Sequence, residues 1–549
     1  MELFSYPIDE KYSTKVAYFS MEFAIDQALK TYSGGLGFLA GSHMRSANHL
    51  RQATIGVGML WSFGYYDQVR NEDNTMKVDF RRKFYYFIED TSVKVEVKIN
   101  SKPVVVKSYF LPSKVFETAP VILLTTDCLE NDYLSRTISH KLYDVNENTR
   151  IAQEIVLGIG GVKMLDALGI KIDVYHMNEG HSLPLVFELM KKYPDLDELK
   201  KHVVFTTHTP EKAGNEEHSA ELLEQMGFFG DFSLQEIQQK LNYHENNFSL
   251  TVAALKVSKR ANAVSKIHHK VSNEMWDFVK DRCEIISITN AQNMHYWADK
   301  HMLTYLQEHE DYQLVAYKKH LKKLLFEEVA DQTGKLFDPN VLTIVWARRF
   351  VEYKRPWLLI LDMDRFRRFV LNKDYPVQII WAGKPYPYDY RGIGMFNEIV
   401  LMSKEFKNVA VLTGYELRLS KMLKQGADIW LNTPRWGREA SGTSGMSAAA
   451  NGAIHFSIDD GWHAEFEKDD INSFTIPHAD PGLPVEEIDR RDYLRMMEKF
   501  ENVIVPMYYD DPNRWIEIVK NGMIDVMNYF DSARMVDEYY KKLYDFGLK

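Results

Sequence analysis

Short, uniformly apolar runs alternate with longer stretches of mixed polarity along most of the chain. An apolar run of about four to eight residues between polar segments marks a strand buried on both faces, and an amphipathic stretch after it marks the helix leading to the next parallel strand. In the first half, Val16–Phe19, Val121–Leu124 and Val203–Thr206 read as such strands, and helices are predicted over Gly37–Arg51, Thr149–Leu168 and Ser182–Lys192. In the second half, Val341–Trp346, Val377–Trp381, Val409–Leu412 and Ala427–Leu431 repeat the strand type, with room for one helix between successive strands. The pattern predicts an α/β protein with two doubly wound, Rossmann-like lobes.

Ser92–Leu111 alternates residue by residue around Asn100-Ser101, which predicts an antiparallel hairpin standing apart from the parallel core. The charged stretch Asp299–Lys335 reads as a helical connection following the first lobe. The boundary is set near Tyr296, giving lobes over residues 1–296 and 297–549, the second ending in consecutive helices from Tyr493 bounded by Pro506 and Pro512.

Composition narrows the partners. A length of 549 residues exceeds what one core organises. Hydrophobic and charged contents of 45% and 26% exclude wholesale disorder. The formal charge of -10 argues against a nucleic-acid partner, whose binding is driven by counterion release to a basic surface. Cys128 and Cys283 lack metal-ligand spacing, and no HExxH or CxxC pair occurs, so no metal site is expected and a reducing, cytoplasmic setting is. The acidic first ten residues lack the apolar core of a signal peptide, and no apolar run reaches the ~18 residues of a membrane span.

Five segments offer chemistry. Ser33-Gly34-Gly35-Leu36-Gly37 follows a strand and opens a helix, where free N–H groups and the helix dipole suit an anion; a plain tight turn is the alternative. Arg348, Arg349, Lys354 and Arg355 crowd the carboxyl end of the Trp346 strand, where open α/β folds bind ligands and where guanidinium plus ammonium can clamp a dianion. The glycine-rich segment Glu439–Gly452 can aim N–H groups at a polar ligand, with Glu439 accepting from vicinal hydroxyls. His181 and His208 follow predicted strands, although histidines so placed are often packed rather than catalytic.

Together these segments resemble the α-glucan (glycogen and maltodextrin) phosphorylases of the short prokaryotic type. The likeness rests on Tyr18–Phe23 with Gly34–Gly37, Asn178–His181, Thr206–Thr209, Ala263–His268, Thr289-Asn290, Glu352–Arg355, Ala382–Lys384, Leu431–Pro434 and Glu439–Thr443, in the family's order and over nearly the whole chain. The resemblance implies a GT-B fold with the active site in the cleft between its lobes. It implies that Arg349 and Lys354 hold the reacting phosphate beside the amides of Gly34 and Gly35. Glu439, Ser441, Gly442, Tyr353, Asn290 and His208 then line the pocket for the transferred glucosyl unit, His208 through its main-chain carbonyl. Arg348 and Thr443 fall near the cofactor phosphate, and Trp297 beside the cofactor ring.

The chain departs from the family at Ser447, which stands where the family has the lysine bonded to pyridoxal phosphate; neither Lys421 nor Lys424 occupies that position. Ala291 and the Asn293–Tyr296 segment depart as well. No covalent cofactor is therefore expected. The leading expectation is a retaining glucosyltransferase acting on α-1,4-glucan or maltodextrin with a nucleotide-sugar donor, its diphosphate filling the space of the two phosphates. Two alternatives stay open: a phosphorylase holding pyridoxal phosphate non-covalently and using inorganic phosphate, and an inactive glucan-binding protein. The oligomeric state also stays open, a homodimer being one candidate.

Overall fold

A computed structural model of the chain describes residues 2–211 and 215–545. The chain divides into two compact units, one comprising Met1–Tyr66, Phe80–Asn293 and Ser532–Lys549, the other Asp67–Asp79 and Met294–Asp531.

The first unit is built on a nine-stranded sheet of β1 (Val16–Phe19), β2 (Thr54–Met59), β3 (Glu89–Ile99), β4 (Lys102–Leu111), β5 (Val121–Thr125), β6 (Val174–Asn178), β7 (Val203–Thr206), β8 (Arg260–Ala263) and β9 (Glu284–Ser287). Their spatial order is β9-β8-β7-β6-β1-β2-β5-β4-β3. The seven strands from β9 to β5 run parallel, and β1 and β5 are buried at every position, as a sheet covered on both faces requires.

The hairpin corrects the expectation that it stands apart. β4 pairs antiparallel with β5, from Leu111↔Val121 to Lys107↔Thr125, so β3 and β4 extend the same sheet. β3 forms the edge with one face exposed, which produces the alternation seen in the sequence. Asn100 and Ser101 both have positive φ, 49° and 63°, the backbone that matches a two-residue turn to the strand twist.

Helix α1 (Gly35–His49) starts two residues before the predicted helix. The predicted helix at Thr149–Leu168 runs from Glu147 to Ala167 with a π-helical turn at Val156–Gly160. The one at Ser182–Lys192 keeps only Leu185–Leu189 as α-helix, behind Pro184. The chain's last helical segments, from Ser532 to Tyr544, pack Met535, Val536, Tyr539 and Tyr540 against Val16, Val174 and Val204 of the first unit's core.

The second unit carries six parallel strands, β10 (Leu342–Ala347), β11 (Val377–Ala382), β12 (Val409–Leu412), β13 (Ile429–Asn432), β14 (Ile454–Ile458) and β15 (Phe474–Ile476). Their order is β12-β11-β10-β13-β14-β15. The chain builds outward from β10 to one edge, returns to the centre and builds to the other. The carboxyl ends of β10 and β13 thus flank the point where strand order reverses, the place where doubly wound sheets bind ligands.

Helix α2 (Met294–Trp297) opens this unit. The charged stretch read as a connection contributes α3 (Asp311–Thr333), whose Leu314, Leu321, Leu325 and Val329 form one buried face. It packs on α4 (Leu417–Gly426) so closely that a Cβ at Gly426 would lie 2.6 Å from Leu325 Cδ2. Helix α5 (Ser444–Ala449) follows β13. Among the described residues, no helix is long and apolar enough to cross a membrane.

Candidate functional site

In the second unit the site begins where β10 ends. Arg348 follows Ala347 directly, and its N–H donates to Ala382 O at the end of β11 (3.1 Å). Gly383 makes this approach feasible: its φ is 149°, and a Cβ there would fall 1.7 Å from Arg348 O. The chain then makes one 3-10 turn, Glu352–Lys354, closed by Arg355 at φ 49°.

The fully buried Arg355 guanidinium donates to Thr433 O and Pro434 O (both 2.9 Å) and pairs with Asp489 (2.9 Å) and Asp492 (2.8 Å). It locks the loop after β10 to the loop after β13. The second loop brings Glu439 to the first loop's cations, where its carboxylate accepts from Arg348 Nη1 (3.2 Å) and Lys354 Nζ (3.0 Å). Gly442, at φ 76°, lies against both partners, since a Cβ there would be 3.1 Å from Arg348 Nη2 and from Glu439 Cγ. Asp460 holds Glu439 from below by accepting its N–H (3.0 Å).

Three cations here face one carboxylate. Burial lowers Lys354 to about 7, Arg348 adds to the effect, and Glu439 opposes it. Burial alone would raise Glu439, but Arg348 and Lys354, with help from Arg349, hold it below the ordinary carboxylate range. Glu439 therefore stays ionised. Arginine does not give up its proton, so relief of the surplus charge falls on Lys354. Such a cluster is arranged to receive an anion. Tyr353, raised to about 12 chiefly by burial, stays a phenol beside it, its ring centroid 5.3 Å from Lys354 Nζ. Ser441 Oγ is buried with no hydrogen-bond partner among the described residues, and Thr443 immediately precedes α5.

Ser447 sits inside α5, fully buried, and its hydroxyl donates to Ser444 O (3.2 Å). Asn451 Nδ2 ties it to Trp297, donating to Ser447 O (2.7 Å) and Trp297 O (2.9 Å). Lys424 of α4, which sequence reasoning set aside, is buried with its ammonium nitrogen 3.6 Å from the Trp297 ring centroid.

The first unit presents its own predicted residues. Gly35 begins α1 and Gly34 precedes it, but the Ser33 and Gly34 N–H groups donate to Glu22 Oε2 (2.7 and 3.1 Å). A protein carboxylate thus takes the anion's place at part of this turn, and Tyr143 Oη donates to its other oxygen (2.7 Å). A Cβ at Gly34 or Gly35 would meet nothing within 4 Å, so packing does not demand glycine at either position.

His208 Nε2 lies 2.7 Å from Asn178 Oδ1, and its main-chain N–H donates to Glu179 Oε1 (2.5 Å). Burial lowers the His208 ring to about 3, so it is neutral at physiological pH and donates from Nε2 to the Asn178 oxygen. It is a positioned group rather than a store of protons. Glu179, strained at φ 68°, is raised to about 7 mainly by burial. Asn290 Oδ1 is buried with no hydrogen-bond partner among the described residues, while its N–H donates to Val264 O (2.9 Å). Burial lowers His181 to about 4.

Sequence reasoning did not single out Glu22, Glu179 or Asp460 as functional. Glu22 and Glu179 lie inside quoted motifs and Asp460 lies beyond the last of them, and the burial of each depends on contacts made elsewhere in the chain. Nor did it find Glu154, Glu216 and His218, whose ligand atoms lie within 4.8 Å of one another. Arg150 donates to Glu216 Oε1 from Nε (2.8 Å) and Nη2 (2.6 Å), so that carboxylate is already answered by a guanidinium.

Residues 242–476 match the model of the carbohydrate phosphorylase family, a span containing Trp297, Arg348, Lys354, Lys424, Glu439 and Ser447. A maltodextrin phosphorylase of Thermococcus litoralis is 31% identical over 98% of this chain and 71% of its own length. The chain belongs to the α-glucan phosphorylase family. A glycogen phosphorylase of Aquifex aeolicus is 29% identical over 98% of the chain and 87% of its own length. An uncharacterized protein of Methanocaldococcus jannaschii is 51% identical over 96% of the chain and 99% of its length. Family membership makes the chain a hexosyltransferase by class.

The family typically uses pyridoxal phosphate. The residues here fit that group without a bond at position 447. Arg348 offers a buried guanidinium, Trp297 an aromatic wall, and His455 Nε2 is buried without a hydrogen-bond partner among the described residues. Ser447 offers only a hydroxyl, already donating within its own helix.

Proposed function

We propose that this protein is an α-glucan phosphorylase. It moves the terminal glucosyl unit of an α-1,4-glucan or maltodextrin to inorganic phosphate, releasing glucose 1-phosphate and a chain one unit shorter, with pyridoxal phosphate held without a bond to position 447. The observation that carries the reading is the buried group of Arg348, Lys354 and Glu439 at the sheet's reversal point. A nucleotide-sugar donor finds no support among the relatives, which include maltodextrin and glycogen phosphorylases, so the phosphorylase alternative replaces it.

Arg349 and Lys354 hold the phosphate that forms the new bond to the anomeric carbon as the bond to the departing glucan oxygen breaks. The departing oxygen takes up the proton that the attacking phosphate gives up. Glu439, kept ionised, accepts from sugar hydroxyls, while Gly442 keeps that wall thin and Ser441 offers an uncommitted hydroxyl. Among the second unit's residues Tyr353 recognises the glucosyl unit; the first unit offers Asn290 and His208 as sugar contacts and Gly34 and Gly35 as bare backbone to an anion. Arg348 and Thr443 would hold the cofactor phosphate, with Trp297 as an aromatic neighbour. Pyridoxal phosphate, when bound, supplies a second phosphate that shares charge and proton with the substrate phosphate. The proposed setting is the cytoplasm.

The test is direct. Maltoheptaose with phosphate and pyridoxal phosphate should yield glucose 1-phosphate, whereas UDP-glucose and ADP-glucose should transfer nothing to the glucan. Elongation from either nucleotide sugar in the absence of phosphate would overturn the reading.

The cation site should also show itself through pH. Lys354, at about 7, must be protonated to hold a dianion, so binding above that value takes up a proton and weakens about tenfold per pH unit. Sulfate isolates this effect because its charge does not change near neutrality. Calorimetric titration should find a constant sulfate affinity below pH 6 and a falling one from pH 7 to 9, with proton uptake appearing in the same interval. A flat affinity would place the sulfate elsewhere.

A further inference from the structure

Lys424 is the observation that the proposed function leaves unused. It lies on α4 one turn beyond Ser420, and residues four apart share a helix face. Both are fully buried, so this face points into the unit's interior. Ser420 Oγ donates to Tyr415 Oη (3.2 Å), and Tyr415 lies within the field of Arg348. At the other end Lys424 Nζ stands 3.6 Å above the Trp297 ring, and Asn451 fastens Trp297 to Ser447. The Ser420 hydroxyl bonded to the Tyr415 phenol and, one turn on, the Lys424 amine on an indole face thus share one buried side of α4.

We propose that Lys424 is the carbonyl-capturing lysine of this protein, an amine delivered from α4 that bonds the aldehyde of a phosphorylated aromatic ligand, pyridoxal phosphate, in place of the amine missing at Ser447. The inference rests on the phosphorylase reading for the identity of the ligand, though not for its chemistry. The Nζ lone pair attacks the aldehyde carbon and a C–N bond forms. Both protons of the amine nitrogen pass in turn to the former carbonyl oxygen, and that oxygen leaves as water while the C=N bond forms. No oxidant or reductant is required.

Two physical features favour the step. Burial lowers Lys424 well below the ordinary lysine value, which enlarges the share of the amine in its nucleophilic, neutral form. The Trp297 face fixes where that amine stands, 3.6 Å from the ring centroid. Lys421, three residues earlier, is committed elsewhere, since its ammonium donates to Tyr296 O (2.8 Å).

The protein is incubated with pyridoxal phosphate, reduced with borohydride, digested and mapped by mass spectrometry. The expected result is close to one pyridoxyl group per chain, on the peptide containing Lys424. Lys424→Met should lose at least nine-tenths of the label, and Lys421→Met should keep it. Should Lys424→Met fail to fold, the site map of the unsubstituted protein decides alone. No label at saturating pyridoxal phosphate, or label chiefly on another lysine, overturns the inference. Phosphate-dependent release of glucose 1-phosphate with Lys424 unlabelled sinks the inference and spares the phosphorylase reading. Stoichiometric label at Lys424 without phosphorolysis does the reverse.

Discussion

Lys354→Ala should lower kcat/KM for phosphate by about 10²–10³-fold, the usual cost of removing one preorganised group that meets charge developing in the reaction. The structure gives two reasons to expect a functional rather than a structural loss. Arg348 Nη1 still donates to Glu439 in the variant, so the carboxylate is not left alone in the interior. The lysine is also the member of the cluster that burial and Arg348 already push towards neutrality, so the fold draws little from its charge. Unfolding by urea should therefore move little while activity collapses. Lys354→Arg keeps the charge but replaces a point donor with a planar fork, and recovery should be incomplete. If Lys354→Ala retains phosphorolysis within threefold of the unsubstituted protein, the anion is held elsewhere.

Much of this site was legible because its residues sit at strand ends, and strands buried on both faces announce themselves as apolar runs. Val341–Trp346 predicted β10, and the cations that follow it occupy the carboxyl end of that strand. The β13 segment and the Glu439–Gly452 signature were legible for the same reason. The hairpin misled because alternation reports one exposed face, and an edge strand of a large sheet exposes one face as readily as a free hairpin does.

Other features depended on distances the chain does not spell out. Nothing local to Glu22 says that the amides of Ser33 and Gly34 will turn to it. Lys424 reads as one lysine among several on an amphipathic helix, and only the packed structure puts its amine on Trp297. The return of Ser532–Tyr544 to the first unit's core was equally hidden, since an amphipathic helix does not name the surface it will cover.

Asp428→Ala should be the most destabilising single substitution in the second unit, and its cost should depend on pH in a predictable direction. Asp428 is buried just before β13, where its Oδ2 accepts from the Thr343 N–H (2.8 Å) and from the ammonium of Lys322, itself 1% exposed. Lys322 also donates to Val341 O (2.7 Å), so its nitrogen cannot swing out to water without abandoning the start of β10. Burial pushes Lys322 down and Asp428 is the largest force restoring it. Without Asp428 the amine must fold in its neutral form. Forcing that at pH 7 on a group that ionises near 10.4 when unfolded costs at most about 5 kcal/mol, in line with the ~3–5 kcal/mol lost on breaking a buried ion pair. The unfolded variant then holds a proton that the folded one lacks, so its stability rises with pH until the lysine of the unfolded chain also loses its proton. Urea denaturation of both proteins from pH 7 to 10 should show a deficit of several kcal/mol at pH 7 that shrinks steadily towards pH 10. A deficit that stays constant across this range would mean that the lysine remains charged and has found another partner.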